Sequence, residues 1–221
     1  IGLTVSSNAL IYLPENIAGY VGGDHVAMVV ATKAFEAQDI VLALDIGTNT
    51  EISLVHDGKI YTCSCASGPA FEGAHIQDGM RAADGAIERV SIEDDQLFLS
   101  TIGGKKPIGI CGSGILDVIA EMRKSGIIDE RGNFDNKNQH VRGSGKSTEF
   151  ILVDGEASGS TRDIVITRKD VNEILLAKAA IQTGIEILVR TAGISPEQID
   201  RFIVAGAFGT YLDINSAKRI G

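Results

Sequence analysis

No Lys/Arg-rich run longer than a few residues occurs in the 221-residue sequence, and its formal net charge is −9. A protein that tracks nucleic-acid phosphates needs a basic surface, so nucleic acid is not an expected partner. Cysteine is scarce, with Cys63, Cys65 and Cys111 alone. An odd number of thiols, in a chain large enough to do without disulfide staples, points to a reducing compartment and hence to the cytoplasm. No apolar stretch approaches the ~20 residues that a membrane-spanning helix needs, and the first residues lack the basic and apolar order of a signal peptide. No membrane association is expected. Met is also missing from the first position, which is Ile1, and the last segment, from Ile214 to Gly221, stops where a helix is beginning. The sequence therefore reads as a piece of a longer protein, forming a single domain over 1–221.

What is present is globular in character, 44% hydrophobic and 22% charged, enough for one sizeable core. Asp24 is placed to cap a helix running to about Phe35. The continuously apolar run Ile40 to Leu44 suits a strand buried on both faces. Glu51 to His56 and Lys59 to Cys65 read as two more strands, joined by the Asp57-Gly58 turn. The three make an antiparallel meander. A short helix is expected over 74–80, a hairpin over Ile87 to Thr101, and a helix from Gly112-Ser-Gly114 through Lys124, ended by Gly126. Residues 130–148 read as an exposed loop. The longest helix spans about Lys169 to Thr191, with Val171, Ile174, Leu175, Ile181, Ile185, Leu188 and Val189 on one stripe and Thr167/Asp170 as a loose capping box. Arg201 to Val204 reads as a buried strand ending in a glycine loop, Ala205-Gly-Ala-Phe-Gly209.

Chemistry concentrates at the first meander turn, Asp45-Ile-Gly-Thr-Asn-Thr50. Gly47 is expected to let backbone amides converge on an anion, with Thr48, Asn49 and Thr50 around it and Asp45 holding a metal-bound water. Phosphate with magnesium is the implied ligand; a plain hairpin turn is the competing reading. Gly206, Ala207, Phe208 and Gly209 form a second corner, where backbone without Cβ atoms would admit a flat base, or would serve only close strand-to-helix packing. Lys178, on the apolar stripe of the long helix, either snorkels to solvent or reaches the nucleotide. Among Glu72, His75, Asp78 and Asp84, Glu72 ranks first as a catalytic carboxylate, because Pro69-Ala-Phe and Gly73 give it a shaped loop. Gly145-Lys-Ser147 imitates a phosphate loop, but His140 stands where its first Gly should be and a strand follows where a helix should. Cys63 and Cys65 share a strand face without the further ligands that a cluster or zinc site requires. Cys111 precedes a helix start and is explained equally by capping or by an anion site.

Leu42-Ala-Leu-Asp45-Ile-Gly-Thr48 and Val204-Ala-Gly-Ala-Phe-Gly209 resemble the second phosphate motif and the adenosine motif of the actin, hexokinase and heat-shock ATPase superfamily. Ile17 to Asp24, Asp45 to Glu51, Ser67 to Gly73, Gly109 to Gly114 and Ala177-Lys-Ala-Ala180 together look like the C-terminal ATPase region of the reductive activators of corrinoid proteins. The resemblance covers nearly the whole chain. It implies an α/β, ribonuclease H-like (actin-like ATPase) subdomain, with a mixed sheet that begins in the antiparallel meander and is flanked by helices. Beside the catalytic roles read from the residues for Asp45 and Glu72, it further implies ATP and Mg2+ as cofactors and a corrinoid protein of a methyltransferase system as partner, returned from Co(II) to Co(I). An iron-sulfur cluster in a ferredoxin-like domain and the first half of the ATPase cleft would lie elsewhere in the parent protein. Two other functions stay open at this point. One is a small-molecule kinase of the same superfamily; the other is a non-catalytic nucleotide-sensing or docking module, in which a homodimer would cover the cleft face.

Overall fold

The computed structural model describes residues 4–221, with the side chain of Ala207 also outside the description. The first helix, α1 (Gly23–Ala31), is capped by Gly22 rather than Asp24. It ends four residues short of the expected Phe35, because Lys33 turns the chain into the left-handed region at φ 53°. The meander follows as β1 (Val41–Ile46), β2 (Thr50–His56) and β3 (Lys59–Cys65). Asp57 and Gly58 both have positive φ, the geometry whose twist suits a two-residue hairpin.

The 74–80 segment is not helical. A single 3-10 turn at Ala70–Glu72 is followed by irregular chain in which Gly73 and His75 have φ of 82° and 66°. Its backbone donors are taken from outside: Gln77 N–H bonds Asp170 and Met80 N–H bonds the Ile110 carbonyl. Long-range partners have displaced the i to i−4 ladder here. Next come β4 (Ala86–Glu93) and β5 (Gln96–Thr101), the expected hairpin, with β6 (Gly109–Ile110) parallel to β4.

Helix α2 (Gly112–Lys124) is buried without a break from Ser113 to Met122. Two of those residues are carboxylates, and both find partners, although Asp117 Oδ1 itself has none among the described residues. Asp117 accepts from Val90 N–H and faces Arg89, while Glu121 accepts from Ile92 N–H and pairs with Lys124 and Arg219. Burial of such charges is tolerable only with that compensation.

Within the expected 130–148 loop the structure places β7 (Val141–Arg142), which pairs with β8 (Glu149–Val153), itself paired with β9 (Ile164–Thr167). Helix α3 (Arg168–Ala192) opens on a full capping box, with Thr167 and Asp170 each bonding the other's backbone N–H. Strand β10 (Arg201–Ala205) runs parallel to β1 and lies at the open edge of the four-stranded sheet β10-β1-β2-β3. It is not buried as expected: Phe202 is 57% exposed. The residues after it form no loop but a short helix, α4 (Gly206–Tyr211), followed by α5 (Ile214–Ile220).

The four-stranded sheet is sandwiched between helices. Its Val41, Ala43 and Val55 face meets Met28 and Val29 of α1, and its Leu42, Leu44, Ile52 and Leu54 face meets Leu188 and Val189 of α3. Alternation along β1 and β2 thus serves two cores at once. The α3 contact is close. A Cβ on Gly184 would sit inside van der Waals distance of Cys65 Sγ and 2.9 Å from Ile52 Cδ1. Gly184→Ala should therefore destabilise the protein by about 1–3 kcal/mol, read as a shift of the urea unfolding midpoint.

Candidate functional site at the ends of two parallel strands

Strand β1 carries Asp45 to its carboxyl end, and the parallel register sets Asp45 beside Ala205 at the end of β10. The crevice outside the carboxyl ends of parallel strands is where α/β sheets gather ligands. The two sequence corners, 160 residues apart along the chain, therefore form one place. Their contact is tight: a Cβ on Gly206, whose φ is 84°, would lie 2.8 Å from Asp45 Oδ1. Glycine is required there on both counts.

The turn after β1 is braced from below. Ser67 Oγ bonds Thr50 Oγ1 at 2.8 Å and donates to the Gly47 carbonyl, while Gly68 N–H donates to the Thr48 carbonyl at 2.9 Å. Thr50 is fully buried in this brace, so its hydroxyl faces the protein and not a ligand. Gly47 also departs from expectation. Its φ is outside the left-handed region, an added Cβ would meet only ordinary contacts, and its N–H donates to the Asn49 carbonyl at 3.2 Å. Thr48 and Asn49 are the exposed residues of the turn. Glu72 stands over them, both of its carboxylate oxygens 3.2 Å from Thr48 Oγ1.

From Glu72 a cleft of about 780 Å³ extends along Phe71, Arg81, Gly112, Phe208 and Tyr211, a volume suited to a nucleotide-sized ligand. The Phe71 and Phe208 rings lie 5.2 Å apart in a tilted pair. The N-terminal end of α2 forms part of the wall, pressed so close that a Cβ on Gly112 would overlap the Phe71 carbonyl. Gly209 serves packing: its Cβ position is 2.9 Å from Val204 Cγ1 and Val204 O. Ala207 lies in α4, with its side chain outside the description. Lys178 is not drawn to this corner. Its ammonium donates to the Ile220 carbonyl at 2.7 Å, and burial with the nearby Arg123 charge lowers its pKa.

Glu51 ends the first motif without a role of its own there, and two further residues, His25 and Arg81, belong to no motif. Glu51 pairs across the strands with Asp45 and accepts from Ser64 Oγ at 2.9 Å; burial, reinforced by the Asp24 and Asp45 charges, raises its pKa. Strand register after a turn of known length was the available signal. His25, wholly buried, and Arg81 gave none. Among the described residues no three His, Cys, Asp or Glu side chains gather as a metal cage. Asp45 is the carboxylate at the corner, a donor set suited to Mg2+, which keeps much of its water and binds through one or two carboxylates plus phosphate oxygens. Burial pushes the Cys63 thiol up to about 12 beside Cys65, 4.0 Å away, so neither is a ready thiolate ligand. No helix among the described residues is long and apolar enough to cross a membrane.

Comparison with known proteins agrees with this geometry. Residues 39–221 match the family model described as the C-terminal domain of RACo, the ASKHA domain. The chain is 38% identical to the corrinoid activation enzyme RamQ of Eubacterium limosum, covering 93% of the chain and 36% of that protein. It is 30% identical to the [Co(II) methylated amine-specific corrinoid protein] reductase of Methanosarcina barkeri, covering 97% of the chain and 40% of that protein. A solved structure of a reductive activator for corrinoid, iron-sulfur protein superposes with a TM-score of 0.87 at 43% identity, over 94% of this chain and 34% of that one. The chain thus spans well under half the length of these relatives. With a family model matched over most of its length and a sheet, helix order and crevice of the nucleotide-binding actin-like type, the chain belongs to the family of C-terminal ASKHA domains of reductive activators of corrinoid proteins.

Proposed function

We propose that this domain is the ATP-binding half of an ATP-dependent reductive activator that helps return a corrinoid protein from Co(II) to Co(I) for methyl transfer. The observation that carries the reading is the meeting of Asp45, Thr48, Glu72 and Gly206 at the ends of β1 and β10. In this reading Thr48 and Asn49 bind the phosphates. Asp45 holds Mg2+, which when bound would neutralise charge on the phosphates. Glu72, already bonded to Thr48, is placed to orient the attacking water and take its proton. Phe208 and the α4 start receive the base. The named activities of the relatives support a corrinoid protein as the partner, and in this reading an iron-sulfur domain of the parent protein supplies the electron.

The test is corrinoid reduction by the full-length protein, followed by the absorbance of Co(I). Reduction should proceed with Mg-ATP and fall to background when a non-hydrolysable analogue replaces ATP. Equal rates with the two nucleotides would remove ATP hydrolysis from the function.

A further inference from the structure

His25 is the one imidazole of the chain with no solvent exposure, and the site description above leaves it unused. It lies in the first turn of α1, against the sheet face on which β1 and β2 set Asp45 opposite Glu51 and, one pair along, Ala43 opposite Ser53. Ala43 has only a methyl group, which leaves room for a ring. The His25 Nε2 is 2.6 Å from Ser53 Oγ, a buried contact that fixes the ring plane. Its Nδ1, equally buried, has no hydrogen-bond partner among the described residues. Buried polar atoms are seldom left so, and each orphan asks for an explanation.

Asp24, the adjacent residue on α1, accepts from His25 N–H at 2.9 Å; Asp45 on β1 and Asp24 are the charges that act on the imidazole. Glu51 on β2, held by Ser64 of β3, belongs to the same acidic group. Burial outweighs these charges and lowers the His25 pKa. When Nε2 accepts from the Ser53 hydroxyl, the ring's proton stands on Nδ1, the atom without a partner among the described residues.

We propose that His25 is a positioning residue for Asp45: moored on Ser53 through Nε2, it offers its Nδ1 proton through one water to the Asp45 and Asp24 carboxylates. This fixes the lone pairs that Asp45 presents to a nucleotide-bound cation. The inference rests on the nucleotide reading of the site and adds a residue behind its metal-holding carboxylate. Outer partners of this kind set ligand orientation, and their loss typically lowers activity or metal affinity by about 10- to 100-fold.

The test uses the full-length protein and two near-isosteric changes. Asn places an amide near the Nδ1 position and gives up Nε2; Gln does the reverse. H25Q, which keeps the mooring on Ser53, should lower kcat for Mg-ATP hydrolysis and the apparent Mg2+ affinity by about 10- to 100-fold, with little change in thermal midpoint. H25N should retain most of both. The opposite order, with H25Q near wild type and H25N impaired in step with lost stability, confines His25 to holding Ser53 and overturns the proposal, as does wild-type activity in both. If the two are equally impaired or fail to fold, nitrogen NMR of the wild-type imidazole decides. Its Nδ1 resonance should move when Mg-ATP is added, and an unmoved resonance overturns the assignment. Absence of any hydrolysis by the wild type would instead overturn the functional reading beneath it, and this inference with it.

Discussion

Asp45→Asn in the full-length protein should lower kcat for magnesium-dependent ATP hydrolysis by two to three orders of magnitude, the usual cost of removing one pre-placed electrostatic group. The amide keeps the shape that fits against Gly206, where 2.8 Å separates Oδ1 from a Cβ position. The loss therefore reports charge and not repacking. Asp45 is half-buried at a strand end, so the unfolding midpoint should stay close to that of the wild type. Steady-state hydrolysis at varied Mg2+ is the measurement, and the deficit should lie mainly in kcat and in the Mg2+ requirement. Turnover within about threefold of wild type would remove Asp45 from the catalytic role, since a group worth less than ~1 kcal/mol is not a principal stabiliser of the reaction.

The second large effect is structural in origin. Gly112→Ala should destabilise the protein by more than about 3 kcal/mol, because the new methyl group overlaps the Phe71 carbonyl and stands 3.1 Å from Phe208 Cε2. The obstacle is backbone, so no rotamer change relieves it. Either α2 moves outward, or the Phe71-Glu72 turn does, and the second carries Glu72 away from Thr48. Chemical denaturation should show the stability loss, and hydrolysis in the surviving folded fraction should fall as well. Gly126→Ala is the control. Nothing lies within 4 Å of its Cβ position, its φ is 70°, and its cost should be about 1 kcal/mol.

The parts of this fold that sequence reveals are those whose signals are local. The β2 and β3 boundaries follow from a hydrophobic run cut by Asp57-Gly58, and the start of α3 follows from Thr167 and Asp170. Two of the failures share one cause, a distant partner that overrides a local preference. Residues 74–80 have the composition of a helix but give their N–H groups to Asp170 and Ile110. The strand Arg201–Ala205 is as apolar as a central strand but lies at the sheet edge. Strands β7 and β9 are too short to show a period.

The site divides along the same line. Motif chemistry singles out Asp45, Thr48 and Glu72; the structure bonds Thr48 to Glu72 and sets Asp45, three residues before Thr48, against Gly206. Thr50 was included because its motif is contiguous, but strand alternation turns its hydroxyl inward to Ser67. Glu51 ends the first motif, but its place opposite Asp45 follows only from the strand register; His25 is brought to the sheet by the packing of α1 on Ser53, which no local pattern reveals. Lys178 was drawn in by its place on a helical stripe, yet its partner is the end of α5.

Helix α2 offers water no side along Ser113 to Met122. An amide proton in such a segment can exchange only when the surrounding layers part together. The wall of the cleft should then be the slowest clock in the domain, still holding its protons after the edge strand β10 has surrendered its own. A ligand entering the cleft meets a surface already rigid on one side, so any ordering that accompanies its arrival must be spent on the Asp45 turn and the start of α4.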